Sequence, residues 1–462
     1  MICRERKEFP KTAKSEFKME NVEVVHGDKI LVFAPHNDDE ILGVGGMIQR
    51  YIESGKAVSV AIMTNGDGQI RRPPYLPFLR ADFVKLGCRR QNESLEALDY
   101  LGLSQGNVEF LGYPDRGLSS MWTDNWDQNE LYYSKYTKTD RSPYDNSYTE
   151  NAPYCGSSVV RDIMSLMKEV EPDVVYLPHP NDSHPDHWAT NGFVLYGLER
   201  LKNEGYKEFD DVTMLNYMVH SLKFPWPRGE FLEASLNKPP NLKELDTEWV
   251  DVSLALKERL RKLRAIGKYR TQNQLMRKYL ISFARANELF GIVPSLSLNN
   301  STEYEATSNL SQDFIANEEK DEPFLSYLNP KRRSRLATLR RYPDIKSVNL
   351  TKEPEMLNLS IEFFNRYRPG NEIQITLKPF STEEYGTGES HAFRFRKKKL
   401  YHNNSEIGRD DGYRYKSGRS SYRLSIPLDK IDDPEKIILS ITLARKGVPF
   451  ARSANRLVKF GP

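Results

Sequence analysis

Residues 29–34 (KILVFA) and 58–63 (VSVAIM) are short, largely apolar runs with one helical pattern between them. That arrangement constrains the fold more than any other feature of the chain. Continuous apolar runs of this length mark strands buried on both faces. Ile41, Leu42, Met47, Ile48 and Tyr51 fall at helical spacing, and Gly55 closes the pattern. Strand, helix and strand in so short a span require a crossover, so the unit predicts a parallel sheet with right-handed connections. The pattern recurs. Helices are expected over 91–101, 157–170 and about 188–202, and strands over 108–111, 173–177 and 212–219. Two amphipathic stretches, 254–268 and 271–290, are expected to finish this half as helices. Segment 119–155 is polar and rich in Tyr and Trp, and it is long for a connector, as lids and binding loops are. Its rings would either line a sugar cleft or cover the sheet edge.

From about 296 to 335 the text turns to Ser, Asn, Glu and Lys without periodicity, which predicts a linker. Beyond it MLNLSIEFF, EIQITLKPF, SHAFRFRKK, YRLSIPL and KIILSITLA alternate, with turn residues between them. Such spacing predicts an antiparallel β-sandwich. The organisation expected is therefore an α/β domain over 1–295, a linker over 296–335 and a β-sandwich over 336–462. A net charge of +3 is too mild to argue for a nucleic-acid partner. Three cysteines, far apart, make no disulfide framework. No apolar run reaches the roughly 18 residues a membrane span needs. The first 25 residues lack the apolar core of a signal peptide. A cytoplasmic location is the default expectation, and a cell-envelope one would require a leader outside this sequence.

Two clusters carry the chemistry: Pro35-His36-Asn37-Asp38-Asp39-Glu40 after the first strand, and His184-Pro185-Asp186-His187 after a later one. Of eight histidines, His36, His179, His184, His187 and His220 all fall at or just beyond expected strand ends. In a parallel sheet those ends form the ligand crevice. His36 and Asp39, three apart at a strand-to-helix turn, can face one point, and His187 would supply a third ligand. Two nitrogens and one oxygen suit Zn2+ with an open position for water, and the same donors accept Fe2+. Asp38 cannot point the same way as Asp39, and is placed to act as general base. His184 would protonate the leaving group or steady the oxyanion, with Asp186 orienting its ring. Acids at 38–40 also suit a helix N-terminus; the second cluster favours the metal reading. Gly43-Val44-Gly45-Gly46 misses the dinucleotide spacing and reads as close helix–sheet packing. The basic run over 396–399 reads as a solvated strand end.

With these residues in view, the first half resembles the GlcNAc-PI de-N-acetylase family (PIG-L, or LmbE-like) in its bacterial branch. Both clusters match its motifs in order. Thr64-Asn65-Gly66-Asp67-Gly68, Arg90-Gln91-Asn92-Glu93, Leu111-Gly112-Tyr113-Pro114-Asp115, Tyr269-Arg270-Thr271-Gln272 and Glu288-Leu289-Phe290 resemble further ones, over roughly 28–292. The resemblance implies a Rossmann-like, mostly parallel sheet with helices on both faces. It also implies a zinc-dependent amide hydrolase that removes acetyl from an N-acetylglucosamine-type sugar. Carried over by position, His36, Asp39 and His187 would bind the metal and Asp38 would be the base. His184, backed by Asp186, would stabilise the tetrahedral intermediate or act as acid. Arg90 and Asp115 would hold sugar hydroxyls, and His220 matches a histidine at a later strand end on the substrate side. Two departures stand out: Asn37 replaces the commoner proline, and Asp182 stands where some relatives use a tyrosine for the oxyanion. The competing reading is a catalytically inactive carbohydrate-binding protein on the same scaffold. A metallophosphoesterase would need a richer carboxylate set.

Overall fold

The computed structural model describes residues 27–68, 80–221, 223–242, 245–299, 301–305, 344–367, 370–380, 390–408 and 410–461. In the first half the strands are β1 (Lys29–Ala34), β2 (Ala57–Thr64), β3 (Val108–Tyr113), β4 (Val174–Pro178), β5 (Thr213–Tyr217), β6 (Glu248–Ser253) and β7 (Asn287–Ile292). The helices are α1 (Asp39–Glu53), α2 (Arg80–Leu101), α3 (Leu118–Thr123), α4 (Gly156–Val170), α5 (Pro185–Asn203), α6 (Leu256–Ile266) and α7 (Arg270–Leu280). They build one seven-stranded sheet in the order β3-β2-β1-β4-β5-β7-β6. The first five strands are parallel, β7 pairs antiparallel with β5, and β6 pairs antiparallel with β7 at the edge.

Side chains of β1 show why both faces are covered. Ile30, Val32 and Ala34 enter one core with Ile41, Val44 and Ile48 of α1. Leu31 and Phe33 enter the other with Val159 of α4 and Phe193 of α5. A strand's period of two sends alternate residues to opposite faces, so a continuous apolar run needs helices on each. The strand order reverses between β1 and β4. Connections leaving those two strands diverge there and open a crevice at their carboxyl ends. Both sequence clusters lie on those two connections.

The helix expected over 271–290 ends at Leu280, and residues 287–292 are strand β7. Its residues pair with β5 and β6, and Glu288 is buried there. Its carboxylate accepts from Gly46 N at 2.6 Å, Met47 N at 2.9 Å and Lys262 Nζ at 2.6 Å. Lys262 Nζ in turn donates to Leu42 O at 2.8 Å. Strand β7 thus ties α1 to α6 through a fully buried ion pair. The α1 glycines permit the approach: a Cβ at Gly43 would sit 2.4 Å from the Tyr217 ring, and one at Gly46 would sit 2.6 Å from Leu254.

The second half forms a five-stranded and an eight-stranded sheet, antiparallel apart from one strand pair. One core joins them, with Val348 and Leu359 from the first sheet and Ile375 and Leu439 from the second. Residues 296–305, expected in the linker, instead carry strands Leu296–Leu298 and Ser301–Glu305. Polar neighbours disguised them, but Leu298 and Tyr304 point into that core. The rest of the expected linker lies outside the described residues.

The eight-stranded sheet also packs against the first half. Phe380, Ile438 and Leu457 enter the core beside α5. Trp122 and Trp126 are buried there, their ring centroids 5.9 Å apart and edge to face. Trp122 Nε1 donates to Ser440 Oγ at 3.2 Å. Of the two roles open to the aromatic segment, these tryptophans take the covering one.

Candidate active site

The turn after β1 is held in an unusual backbone state. Asp38, the N-cap of α1, has φ 130° and ψ −27°. L-residues rarely adopt this region, at a cost of order 1–3 kcal/mol. Its N–H donates to Glu40 Oε2 at 3.0 Å, and Glu40 Oε1 accepts from Tyr269 Oη at 2.5 Å. Gln272 Nε2 donates to Asn37 O at 2.7 Å. Tyr269 and the first turn of α7 therefore clamp the loop from above. Burial pushes the Glu40 carboxyl up to about 7. Burial, and then the charges of Asp39 and Glu40, push the Asp38 carboxyl well above the ordinary range.

Three donor atoms meet below this turn. His36 Nδ1 lies 3.1 Å from Asp39 Oδ2, His187 Nε2 lies 3.0 Å from the same oxygen, and the two nitrogens are 3.3 Å apart. Tetrahedral ligands at about 2.0–2.1 Å from zinc stand about 3.3 Å from one another. The triangle therefore fits such an ion. Each imidazole is tied at its outer nitrogen to a carboxylate: His36 Nε2 to Asp186 at 3.2 Å, and His187 Nδ1 to Asp182 at 3.1 Å. Those bonds fix the rings with a lone pair on the shared point.

Here the expectation for Asp186 is corrected. Its carboxylate does not reach the His184 ring. It accepts from Arg116 N at 2.6 Å and Leu118 N at 3.2 Å and backs His36. His184 is oriented by the backbone instead. As N-cap of α5 it accepts the Asp186 N–H on Nδ1 at 3.3 Å. In the neutral ring the proton then sits on Nε2, available to donate. Burial, reinforced by His36, His187 and His220, holds His184 well below the ordinary histidine range.

Asp182 is no mere departure. Its Oδ1 accepts from His184 N at 2.9 Å, and its Oδ2 accepts from Val219 N at 3.0 Å and His220 N at 2.9 Å as well as from His187. One buried carboxylate thus fixes both histidines of the second cluster and the β5 end. A carboxylate two positions before His184 was the signal available in the sequence. His179, grouped with the others by its place on the strand, does not join them. It stacks on Trp249 and bonds Thr247, and burial holds it at about 3.

A cavity of about 240 Å³ opens over the triangle. Asp38, Arg90, Asp115, His184 and His220 line it, as does the α7 face of Gln272, Met276 and Tyr279. Sequence reasoning missed that face, although 272, 276 and 279 are at helical spacing. Asp115 Oδ2 accepts from Gly68 N at 2.9 Å. Burial raises its carboxyl, but the adjacent His36 outweighs this and holds it at about 2. Arg90 Nη1 donates to Gly66 O at 2.6 Å, while its buried Nε has no protein partner. His220 Nδ1 lies 3.3 Å from Tyr279 Oη, which donates to Val219 O at 2.7 Å. A larger cavity of about 660 Å³ lies at the opposite strand ends around Asp28, Arg50 and Asp173, with no histidine in its lining.

Residues 31–196, which span both clusters, match the family model described as PIG-L, GlcNAc-PI de-N-acetylase. The chain carries a PIG-L domain. A 1D-myo-inositol 2-acetamido-2-deoxy-alpha-D-glucopyranoside deacetylase of Tsukamurella paurometabola is 28% identical over 183 residues, 38% of this chain and 57% of that protein. The enzyme of the same description from Saccharomonospora viridis is 30% identical over 168 residues, 36% of this chain and 56% of its own. The chain thus spans little more than half the length of these curated relatives. The solved N,N'-diacetylchitobiose deacetylase from Pyrococcus horikoshii is 19% identical, with 58% of this chain and 84% of that one covered and a TM-score of 0.36. Beyond the PIG-L domain the described residues contain no helix long and apolar enough to cross a membrane, and neither does the domain.

Proposed function

We propose that the PIG-L domain hydrolyses the N-acetyl amide of an N-acetylglucosamine-type sugar. We read residues 1–295 as this catalytic domain, Rossmann-like in its strand order, and the strands that follow as a β-sandwich. The observation that carries the reading is the triangle of His36 Nδ1, Asp39 Oδ2 and His187 Nε2, spaced 3.0–3.3 Å apart. These residues would hold a divalent cation, and two nitrogens with one oxygen suit Zn2+. Such an ion, when bound, supplies a Lewis acid for the amide carbonyl and makes water more acidic.

Asp38, fixed at the mouth of the cavity, takes the proton of the attacking water. His184 presents Nε2–H to the oxygen that becomes negative as the tetrahedral carbon forms. The C–N bond then breaks, and the proton held by Asp38 passes to the departing amine, so acetate and the free amino sugar leave. Arg90 and Asp115, across the cavity, orient the sugar hydroxyls, and His220 bounds the pocket on the far side. Asp186 and Asp182 hold the two imidazoles.

The test is amine release from N-acetylated amino sugars, from monosaccharide to oligomer, with and without chelator. Activity should vanish with chelator and return with Zn2+. Asp38→Ala should lower kcat by about 10²–10⁴ with the metal retained, and His187→Ala should lose the metal. Unimpaired turnover in Asp38→Ala would remove the base assignment. No amine release from any such sugar, with metal bound, would favour the binding-protein reading.

A further inference from the structure

The first turn of α5 carries His184, Asp186 and His187, and its outer side does not face solvent. Trp188, next to the proposed ligand His187, is 1% exposed and is gripped by the second half of the chain. Its Nε1–H donates to Ser453 O at 2.7 Å, and its own carbonyl accepts from Asn455 Nδ2 at 2.7 Å. The Arg452 guanidinium lies 5.2 Å from the Trp188 ring centroid. Asp186 is the charge that acts on Arg452, opposing the burial that pulls this arginine down to about 10. Ser453 is itself locked, its Oγ accepting from Ile441 N at 2.9 Å in the eight-stranded sheet. One segment, residues 452–455, therefore holds both ends of a single residue's polar inventory and covers its ring, one position beyond a metal-ligand candidate.

We propose that Arg452, Asn455 and the Ser453 carbonyl are positioning groups for the active site. The C-terminal half sets the rotation of the first turn of α5 through Trp188, and so aims His187 Nε2 and, through Asp186, His36 Nδ1. This rests on the metal-site reading above. Groups bonded directly to a metal ligand are worth about 10–100-fold in metal affinity, and these positioning groups act one layer further out, through Trp188. A second contact across the same seam supplies the control. Lys436 Nζ pairs with Glu199 at 2.8 Å, three turns further along α5 and away from the ligands.

The experiment uses the full chain. Trp188→Phe, which keeps a ring and loses the donor, and Asn455→Ala should each weaken Zn2+ binding by about 10-fold, the low end of that range. This is read by chelator competition well below the melting transition. Lys436→Met should lower Tm comparably while leaving Zn2+ affinity at the wild-type value. Arg452→Lys, which keeps a cation over the ring, should retain affinity that Arg452→Met loses. With Co2+ in place of Zn2+, the visible absorption should change in Trp188→Phe and Asn455→Ala and not in Lys436→Met. Wild-type Zn2+ affinity and Co2+ spectra in Trp188→Phe, Asn455→Ala and Arg452→Met, with only Tm lowered, would overturn the proposal and leave the contact as scaffold. A wild-type protein that takes up neither cation would overturn the metal-site reading itself, and this inference with it.

Discussion

Asp182 gathers four N–H groups from three parts of the crevice, His184, His187 and the backbone of 219–220. Asp182→Asn keeps the shape but places an amide N–H against some of those donors. We expect Zn2+ affinity to fall by about 10–100-fold, measured by chelator competition. Affinity equal to wild type would mean His187 needs no such anchor. Asp38 yields a prediction of a different kind, because its backbone is strained at φ 130°. Asp38→Gly should be more stable to urea than Asp38→Ala by about 1 kcal/mol, the reverse of the usual order in and around helices. Equal or lower stability of the glycine variant would show that the turn is not strained. The closeness of His36, Asp39 and His187, which we propose hold the metal, was legible in the sequence because His36 and Asp39 share one turn and His187 lies on the strand end that the topology brings alongside. The partner of Asp186 was not, since the direction of a side chain off a helix N-terminus depends on neighbours from the β3–α3 connection. His179 has the right position on the strand and the wrong surroundings, which a sequence pattern does not distinguish.

At the scale of elements, the Lys262–Glu288 pair joins α1, α6 and β7, with both side chains fully buried. Removing one partner of a buried pair leaves an uncompensated charge and costs about 3–5 kcal/mol. Glu288→Ala should lose that much in urea unfolding. Adding Lys262→Met should recover part of it, and strict additivity in that double-mutant cycle would refute a coupled pair. The parallel strands were readable because continuous apolar runs leave few alternatives. β6 and β7 were not. Helical spacing in 271–290 continues beyond Leu280, but its last part pairs with β5 and β6, and Glu288 there meets donors on α1, 242 residues away. The α7 roof was seen as a helix, but which face it turns to the cavity is set by Glu93, which holds Thr271, and by Val219, which holds Tyr279.

For the whole molecule, the seam between the halves contains a buried lysine. Lys378 Nζ lies 3.2 Å from the Trp126 ring centroid and 4.7 Å from that of Trp122, and it donates to Ser390 Oγ at 2.7 Å. Burial holds it well below lysine's ordinary 10.5, against the pull of Asp127 and Asp124. Between its depressed value and 10.5 the unfolded chain binds more protons, so its contribution to stability grows as pH rises through that window. The Tm of wild type relative to Lys378→Met should therefore climb as pH rises towards lysine's ordinary 10.5; a flat difference would mean the ammonium is not penalised. Two halves of different pattern were legible along the chain. Their joint core was not, because Trp122 and Trp126 read equally well as a cleft or a cover. That shared core also bears on biosynthesis. The aromatic flank of α3 and α5 is completed by Phe380, Ile438 and Leu457, which leave the ribosome long after α3 and α5 have been made. At about 5–20 residues per second, the interval between residues 296 and 457 lasts roughly 10–30 s. Through that time Trp122 and Trp126 lack the residues that complete their core.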